Sequence, residues 1–387
     1  MTAPARGFPE AEFERRTRNA QALMAEAGLS ALLLTTEPEI RYYTGFLTRF
    51  WESPTRPWYV VLPATGQPIA VIPSIGAHLM RQTWITDLRT WQAPDYSDDG
   101  VGLLSDTLRE VTLMGGVIGL ADGMESHVRM PRADLLALES ALAPRKLASD
   151  AQITRRLRLI KSDAEIAKIR IAAGIADRAF DRVTEIAQTG TPLSTVFRRF
   201  QASCLDEGAD WVPYLAGAAD HRGYGDVISP ATDAPLETGH VLMLDTGLMH
   251  DGYFCDFDRN FSIGAPAAEV QSAHARLIDA TEAGFAAARP GAVIADLFHA
   301  MNAVANPDGN TMDAGRLGHG LGMQLTEWPS IIPADQTELV PGMVLTLEPS
   351  VTLADGKIMV HEENIVIRET GAEWLSTPQG SEIRVLT

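Results

Sequence analysis

The chain has 387 residues, of which 45% are hydrophobic and 21% charged, and its formal net charge is −18. That length passes the roughly 250 to 300 residues at which single cores stop growing, so two domains are expected, and no run approaches the roughly 18 apolar residues of a membrane span. The acidic surface repels polyphosphate and anionic lipid, which argues against nucleic acid and membrane as partners.

Met1 to Glu26 mixes Arg, Glu, Pro and Ala without the basic start and apolar stretch of a secretory signal. Cys204 and Cys255 are the only cysteines, too few for a disulfide framework or a thiolate cluster. Both features point to a cytoplasmic protein. Phe13 to Ala27 reads as an amphipathic helix, and Ala31 to Thr36, Tyr59 to Pro63 and Ile69 to Pro73 read as strands, which makes the first part α/β. A connecting stretch runs from Lys146 to Lys161. Ser162-Asp163-Ala164-Glu165 then forms a capping box that opens a long helix, with Gly190 and Pro192 as its stop. The domains are accordingly 1–155 and 156–387. Ala265 to Ala288 and Val293 to Val304 read as helices; Val241 to Asp245, Tyr253 to Ser262, Met343 to Pro349 and Val360 to Ile367 read as strands. Two helices followed by strands, occurring twice, predict an internally duplicated α+β domain.

Five oxygen or nitrogen donors sit in this second part: Asp245, Asp256, His319, Glu348 and Glu363. Asp245 closes the apolar run Val241-Leu242-Met243-Leu244, and Glu348 closes Met343 to Leu347. Carboxylates on buried strands are costly to desolvate without a cation or donors. Residue chemistry alone fits two arrangements equally, a divalent metal site or buried carboxylates paired with Arg. The donor type suits Mn, Co, Fe or Zn rather than a thiolate-seeking ion.

Asp245-Thr246-Gly247, Gly252-Tyr253, Asp256 and Arg259 resemble the Asp-x-Gly…Gly-Tyr-x-x-Asp-x-x-Arg strand pair of the creatinase, prolidase and aminopeptidase P family. Gly318-His319-Gly320-Leu321-Gly322 resembles its Gly-His-Gly-Ile-Gly turn. Glu327-Trp328-Pro329 resembles its Glu-x-Pro, and Gly342 to Pro349 its Gly-Met-Val-x-Thr-x-Glu-Pro strand. Glu363-Asn364 is aligned with its Glu-Asp. Upstream, Arg158 to Ser162 and Ile40 to Phe46 resemble its linker and amino-terminal domain. The resemblance implies an α+β protein with a C-terminal pita-bread catalytic domain after a smaller α/β creatinase-like N-terminal domain, assembled as a homodimer. It implies two divalent metal ions, with Asp245 on one, His319 and Glu348 on the other, and Asp256 and Glu363 bridging. The implied activity is that of an Xaa-Pro dipeptidase or aminopeptidase acting on a small peptide through a hydroxide between the ions, with Glu348 as proton acceptor.

Four positions depart from that pattern. Thr326 stands where the peptidases carry a histidine before Glu-x-Pro, and their upstream histidine is missing unless His221 fills its role. His361 replaces the usual Arg and shares a strand face with Glu363, so it is a second catalytic candidate as proton donor or oxyanion partner, or else an orienting group for Glu363. Asp258, in place of Thr or Ser, shares a face with Asp256. These changes keep open an alternative, a metal-dependent lyase or amidase acting on a small non-peptide molecule, similar to dimethylsulfoniopropionate lyase. Trp51, Trp58 and Tyr59 are read as core or dimer-contact residues, with a substrate entrance as the alternative.

Overall fold

The computed structural model describes residues 6–53, 57–307, 315–353 and 356–387. The first five residues of the segment read for a secretory signal lie outside these. The chain divides into two compact units, Met1–Arg158 and Leu159–Thr387.

The first unit runs α1 (Glu10–Ala27), β1 (Ala31–Leu34), α2 (Glu37–Thr44), β2 (Tyr59–Pro63), β3 (Ile69–Pro73), α3 (Ala77–Met80), β4 (Asp87–Trp91), α4 (Val101–Val111), β5 (Val117–Leu120), α5 (Arg132–Leu142), β6 (Lys146–Ser149) and α6 (Ile153–Leu159). Its six-stranded sheet has the order β4-β3-β2-β1-β5-β6. Strand β1 is antiparallel to β2 and parallel to β5. Every residue of Ala31-Leu32-Leu33-Leu34 is buried, as a central strand covered on both faces requires. Leu104 and Leu108 of α4 and Leu138 and Leu142 of α5 pack on Leu33, Tyr59, Val61 and Val71. Trp58 and Tyr59 are buried in this unit, Trp58 against Phe46, Phe50 and Trp51, which is the core role read from sequence.

The second unit holds α7 (Asp163–Asp181), α8 (Val183–Ile186), α9 (Leu193–Asp206), β7 (Trp211–His221), β8 (His240–His250), β9 (Tyr253–Phe254), β10 (Phe257–Ile263), α10 (Ala268–Ala287), α11 (Ile294–Ala305), β11 (His319–Gly320), β12 (Glu327–Ser330), β13 (Val344–Leu347), β14 (Ser350–Thr352), β15 (Ile358–Val360), β16 (Glu363–Arg368), β17 (Gly371–Trp374) and β18 (Arg384–Leu386). The Ser162 hydroxyl accepts from the Glu165 amide at 3.4 Å while the Glu165 carboxylate accepts from the Ser162 amide at 2.8 Å. Such a box contributes about 1 kcal/mol at a helix start. Helix α7 ends at Asp181, earlier than Gly190, because Arg182 breaks the run before α8.

Two helix-on-sheet halves follow one another. In the first, Ala176, Phe180, Val196 and Phe200 from α7 and α9 pack on Leu242, Leu244 and Phe257, covering the sheet β18-β10-β8-β7, with β9 on β8. In the second, Leu297 and Met301 of α11 pack on Leu345, Leu347, Ile365 and Ile367, over the sheet β12-β11-β13-β16-β17.

Several strands differ from their sequence expectation. Asp245 lies in the middle of β8 rather than at its end, since Thr246 to His250 go on pairing with β7 and β9. The stretches read as single strands, Tyr253 to Ser262 and Val360 to Ile367, are interrupted at Cys255-Asp256 and at His361-Glu362. Those interruptions release acidic side chains from regular pleating where the two halves meet.

Candidate metal centre

Strand pairing brings the acidic residues together. Asp245 on β8 is directly opposite Asp258 on β10, and Asp256 immediately precedes β10. Across the second sheet Leu347 pairs with Glu363, so one step further Glu348 stands beside Glu362. His319 on β11 points Nε2 at this group, 3.4 Å from Asp256 Oδ2 and 3.9 Å from Glu362 Oε1. Its Nδ1–H donates to the Gly320 carbonyl at 2.8 Å, which leaves the Nε2 lone pair directed inward. The Thr346 hydroxyl accepts from the His319 amide at 3.1 Å, and the Asn364 carboxamide oxygen accepts from the Asp256 amide at 3.0 Å while its Nδ2 donates to the Asp256 carbonyl. Gly318 adopts φ +128°, and a Cβ there would lie 2.2 Å from the Thr346 carbonyl oxygen. Only glycine lets the chain into His319 run this close to β13.

The electrostatics are those of a strongly acidic, buried cluster. Asp245 Oδ1, Asp256 Oδ1 and Glu362 Oε1 are buried without a hydrogen-bond partner, which is costly unless a cation meets them. Burial raises Asp245, Asp256 and Glu362 well above the ordinary carboxylate range. Mutual repulsion adds to it, from Asp258 and Glu348 on Asp245, from Asp245 and Glu348 on Asp256, and from Asp256 on Glu362. Burial, then the Asp258 charge, lifts Glu348 to about 7, with Arg316 opposing. Burial lowers His319 to about 4, so its ring is neutral, as a ligand must be. The orphaned oxygens and this free imidazole nitrogen fit divalent cations.

Glu363 is not part of this group. Its carboxylate accepts from Arg259 Nη2 at 3.1 Å, from the Ser376 hydroxyl and from the Gln379 amide at 2.9 Å, and it faces His361 Nε2 at 3.2 Å. Against the cost of burial, Arg259 and His361 hold it below its usual value. The reason is pleating: side chains alternate faces along a strand. Glu363 keeps the parity of the core residues Ile365 and Ile367, whereas Glu362 keeps that of Asn364. The glutamate that faces Asp256 and His319 is therefore Glu362 rather than the expected Glu363, and Glu362-Glu363 also fits the Glu-Asp pattern. For Glu363 the Arg-paired arrangement is the one found. His361 is buried between two acids, with Nδ1 3.5 Å from Asp258 Oδ1. Both ring nitrogens face carboxylates, an orienting arrangement rather than one open to substrate.

The sequence matches metallopeptidase family M24 over residues 167–369 and the creatinase/prolidase N-terminal domain over residues 16–160. The chain belongs to metallopeptidase family M24. It is 29% identical over 377 residues to "Probable dipeptidase PepE" of Mycobacterium tuberculosis, covering 95% of each chain. It is also 27% identical over 358 residues to "Uncharacterized peptidase YqhT" of Bacillus subtilis, covering 90% of this chain and 94% of that one. The crystal structure of dipeptidase PepE from Mycobacterium ulcerans superposes with TM-score 0.84 at 26% identity, over 98% of this chain and 99% of that one. A recombinant prolidase from Thermococcus sibiricus gives TM-score 0.87 at 22% identity, over 98% and 100%, and supports the fold alone. As an M24 member the chain is a metallopeptidase-type hydrolase that uses divalent metal ions, with a pita-bread catalytic domain after a creatinase-type domain.

The other positions at which this M24 chain departs from the family pattern are now placed. His221 does not reach the centre: Ala216 is the β7 partner of Asp245, and His221 lies five residues further along, opposite His240, roughly 17 Å away at 3.4 Å per residue. There it forms an exposed group with Glu237 and His240. The His240 Nδ1 already accepts the Glu237 amide at 3.2 Å. Thr326 accepts from Arg316 Nη2 at 3.3 Å. Sequence reasoning overlooked three residues here. Tyr214 on β7 acts on Asp245, Arg316 acts on Asp256 and Glu348, and Glu362 completes the acidic group. The Arg three residues before His319 and the doubled Glu were the signals available.

Proposed function

We propose that this M24 chain is an Xaa-Pro dipeptidase whose two divalent ions are held by Asp245, Asp256, His319, Glu348 and Glu362. The observation that carries the reading is the set of buried, partnerless carboxylate oxygens around the free Nε2 of a neutral histidine, in a chain related to dipeptidases along nearly its whole length. Bound ions of this kind supply positive charge that polarises a carbonyl and acidifies water. Glu348 takes the proton of the attacking water on its carboxylate and returns it to the departing amine. Asn364 holds Asp256 in place. Mn, Co, Zn and Fe all suit the donors, and a cytoplasmic homodimer is the assembly that accompanies this reading.

The deciding experiment measures release of free proline from a panel of Xaa-Pro dipeptides by metal-depleted protein reloaded with each of these ions. Turnover restored by at least one of them, and abolished in a stably folded Glu348→Gln variant even with the ion in excess, is the expected result. Absence of turnover with every ion would end the peptidase reading. Thr326, in place of an imidazole, is the one feature that would then favour a lyase or amidase acting on a small non-peptide molecule.

A further inference from the structure

Arg316 is used by no step above. It lies three residues before His319, while Thr326 lies across the ribbon formed by β11 and β12, beyond the turn that follows Gly320. To donate Nη2 to the Thr326 hydroxyl at 3.3 Å, the Arg316 side chain must run back along this ribbon past His319. The guanidinium is thus laid beside the acidic group, and its charge is felt at Asp256, Glu348 and His319. Among the described residues, the Thr326 hydroxyl is the only hydrogen-bond acceptor it meets, and Arg316 is partly exposed. A guanidinium has five N–H donors in a planar fork, so donors remain for something that enters the site.

We propose that Arg316, steadied by Thr326, is the receptor for the free α-carboxylate of the substrate and so selects dipeptides over longer or amidated peptides. This rests on the dipeptidase reading and names what that reading lacks, a group that recognises the substrate's end. The chemistry is specific: a fixed planar fork pairs two N–H groups with two carboxylate oxygens. In a dipeptide the carboxylate sits one residue from the scissile bond, within reach of an arginine beside the metal ligands. In a longer peptide it has moved away, and in an amide the charge is gone. A hydroxyl at 326 suits the role better than an imidazole, because it accepts from the guanidinium without adding a second cation. Arg316 would then be a specificity-determining residue that touches substrate, and Thr326 a positioning residue.

The test compares metal-loaded wild type, Arg316→Gln, Arg316→Lys and Thr326→Val. Binding of L-proline and of L-prolinamide is measured by calorimetry, alongside kcat and KM for Ala-Pro and for Ala-Pro amide. Hydrogen bonds to charged groups of this kind are worth on the order of ten- to a hundredfold. Arg316→Gln is therefore expected to weaken proline binding and raise KM for Ala-Pro by at least about tenfold, with both amides little affected and metal content unchanged. Arg316→Lys and Thr326→Val should fall between, since one keeps charge without the fork and the other keeps the fork without its anchor. Equal losses for acid and amide, no loss for either, or no proline binding by the wild type would overturn the proposal. Proline binding needs no turnover, so selective loss of it in a protein that cleaves no dipeptide would sustain Arg316 while removing the peptidase reading.

Discussion

Glu362 and Glu363 are adjacent, equally buried and chemically alike, yet they do opposite things. Glu363 closes an ion pair with Arg259, whose guanidinium also donates to the Asp258 and Thr377 carbonyls and lies over Phe257. Removing one partner of a buried pair leaves the other uncompensated, typically at 3 to 5 kcal/mol. Glu363→Gln should accordingly lower stability by roughly 3 kcal/mol in a denaturant titration and leave the metal content of the folded fraction intact. Glu362→Gln should do the reverse, sparing stability and losing metal as counted by mass spectrometry per chain. An unchanged metal count in Glu362→Gln would remove that residue from the ligand set. At this scale the sequence was readable up to parity. Motif order pointed to Asp245, Asp256, His319 and Glu348 as candidates, but nothing in the residue types says which of two neighbouring glutamates faces inward. That is decided by where β13 and β16 come into register, with Thr346 opposite Asn364.

The ribbon of β11 and β12 shows how an element can be fixed by a residue without a side chain. Gly318 has a positive φ and no room for a Cβ against the Thr346 carbonyl. Gly318→Ala should cost at least about 2 kcal/mol, the sum of a left-handed backbone penalty and a forced shift of β13, and should loosen His319. Thermal unfolding together with cobalt absorption spectra would register both effects. A normal melting temperature and an unaltered spectrum would mean that the chain has slack here that the geometry denies. Helices were the most legible elements, because caps and 3.6-residue periodicity are local: α10 and α11 lie within a few residues of their expected limits, and α7 starts at its expected cap. Strand ends were less so. Strand β8 runs on past Asp245 because β7 and β9 lie alongside to pair with it, and no local signal announces partners that arrive from elsewhere in the chain.

Over the catalytic unit as a whole, a contribution to acid sensitivity is expected from a histidine away from the candidate ligands. His274, on α10, is fully buried, with Nε2 3.0 Å from the Gly380 carbonyl. Burial, and after it the His361 charge, lowers it to about 4. Its folded pKa lies below the roughly 6.5 of an unfolded histidine. The stability associated with its neutral ring is therefore complete above pH 6.5 and is lost as pH falls toward 4, by on the order of 3 kcal/mol. His274→Gln keeps a donor for Gly380 and should flatten that part of the stability profile, measured by urea unfolding at stepped pH. A profile identical to wild type would assign the slope to other groups. Length and the repeated helix-strand order made the two-domain, duplicated plan legible. Sheet order was not, because it depends on pairings between distant segments. Strand β18 is the extreme case: it lies parallel to β10, with Phe261 against Arg384 and Ile263 against Leu386. During translation, β10 is made long before its outer neighbour, so the first sheet must wait with one raw edge until the ribosome has delivered the entire second half. Such an edge invites pairing with other nascent chains. A slow stretch of decoding between residues 264 and 383 would lengthen that wait, and a chaperone on the emerging chain would have to shield it.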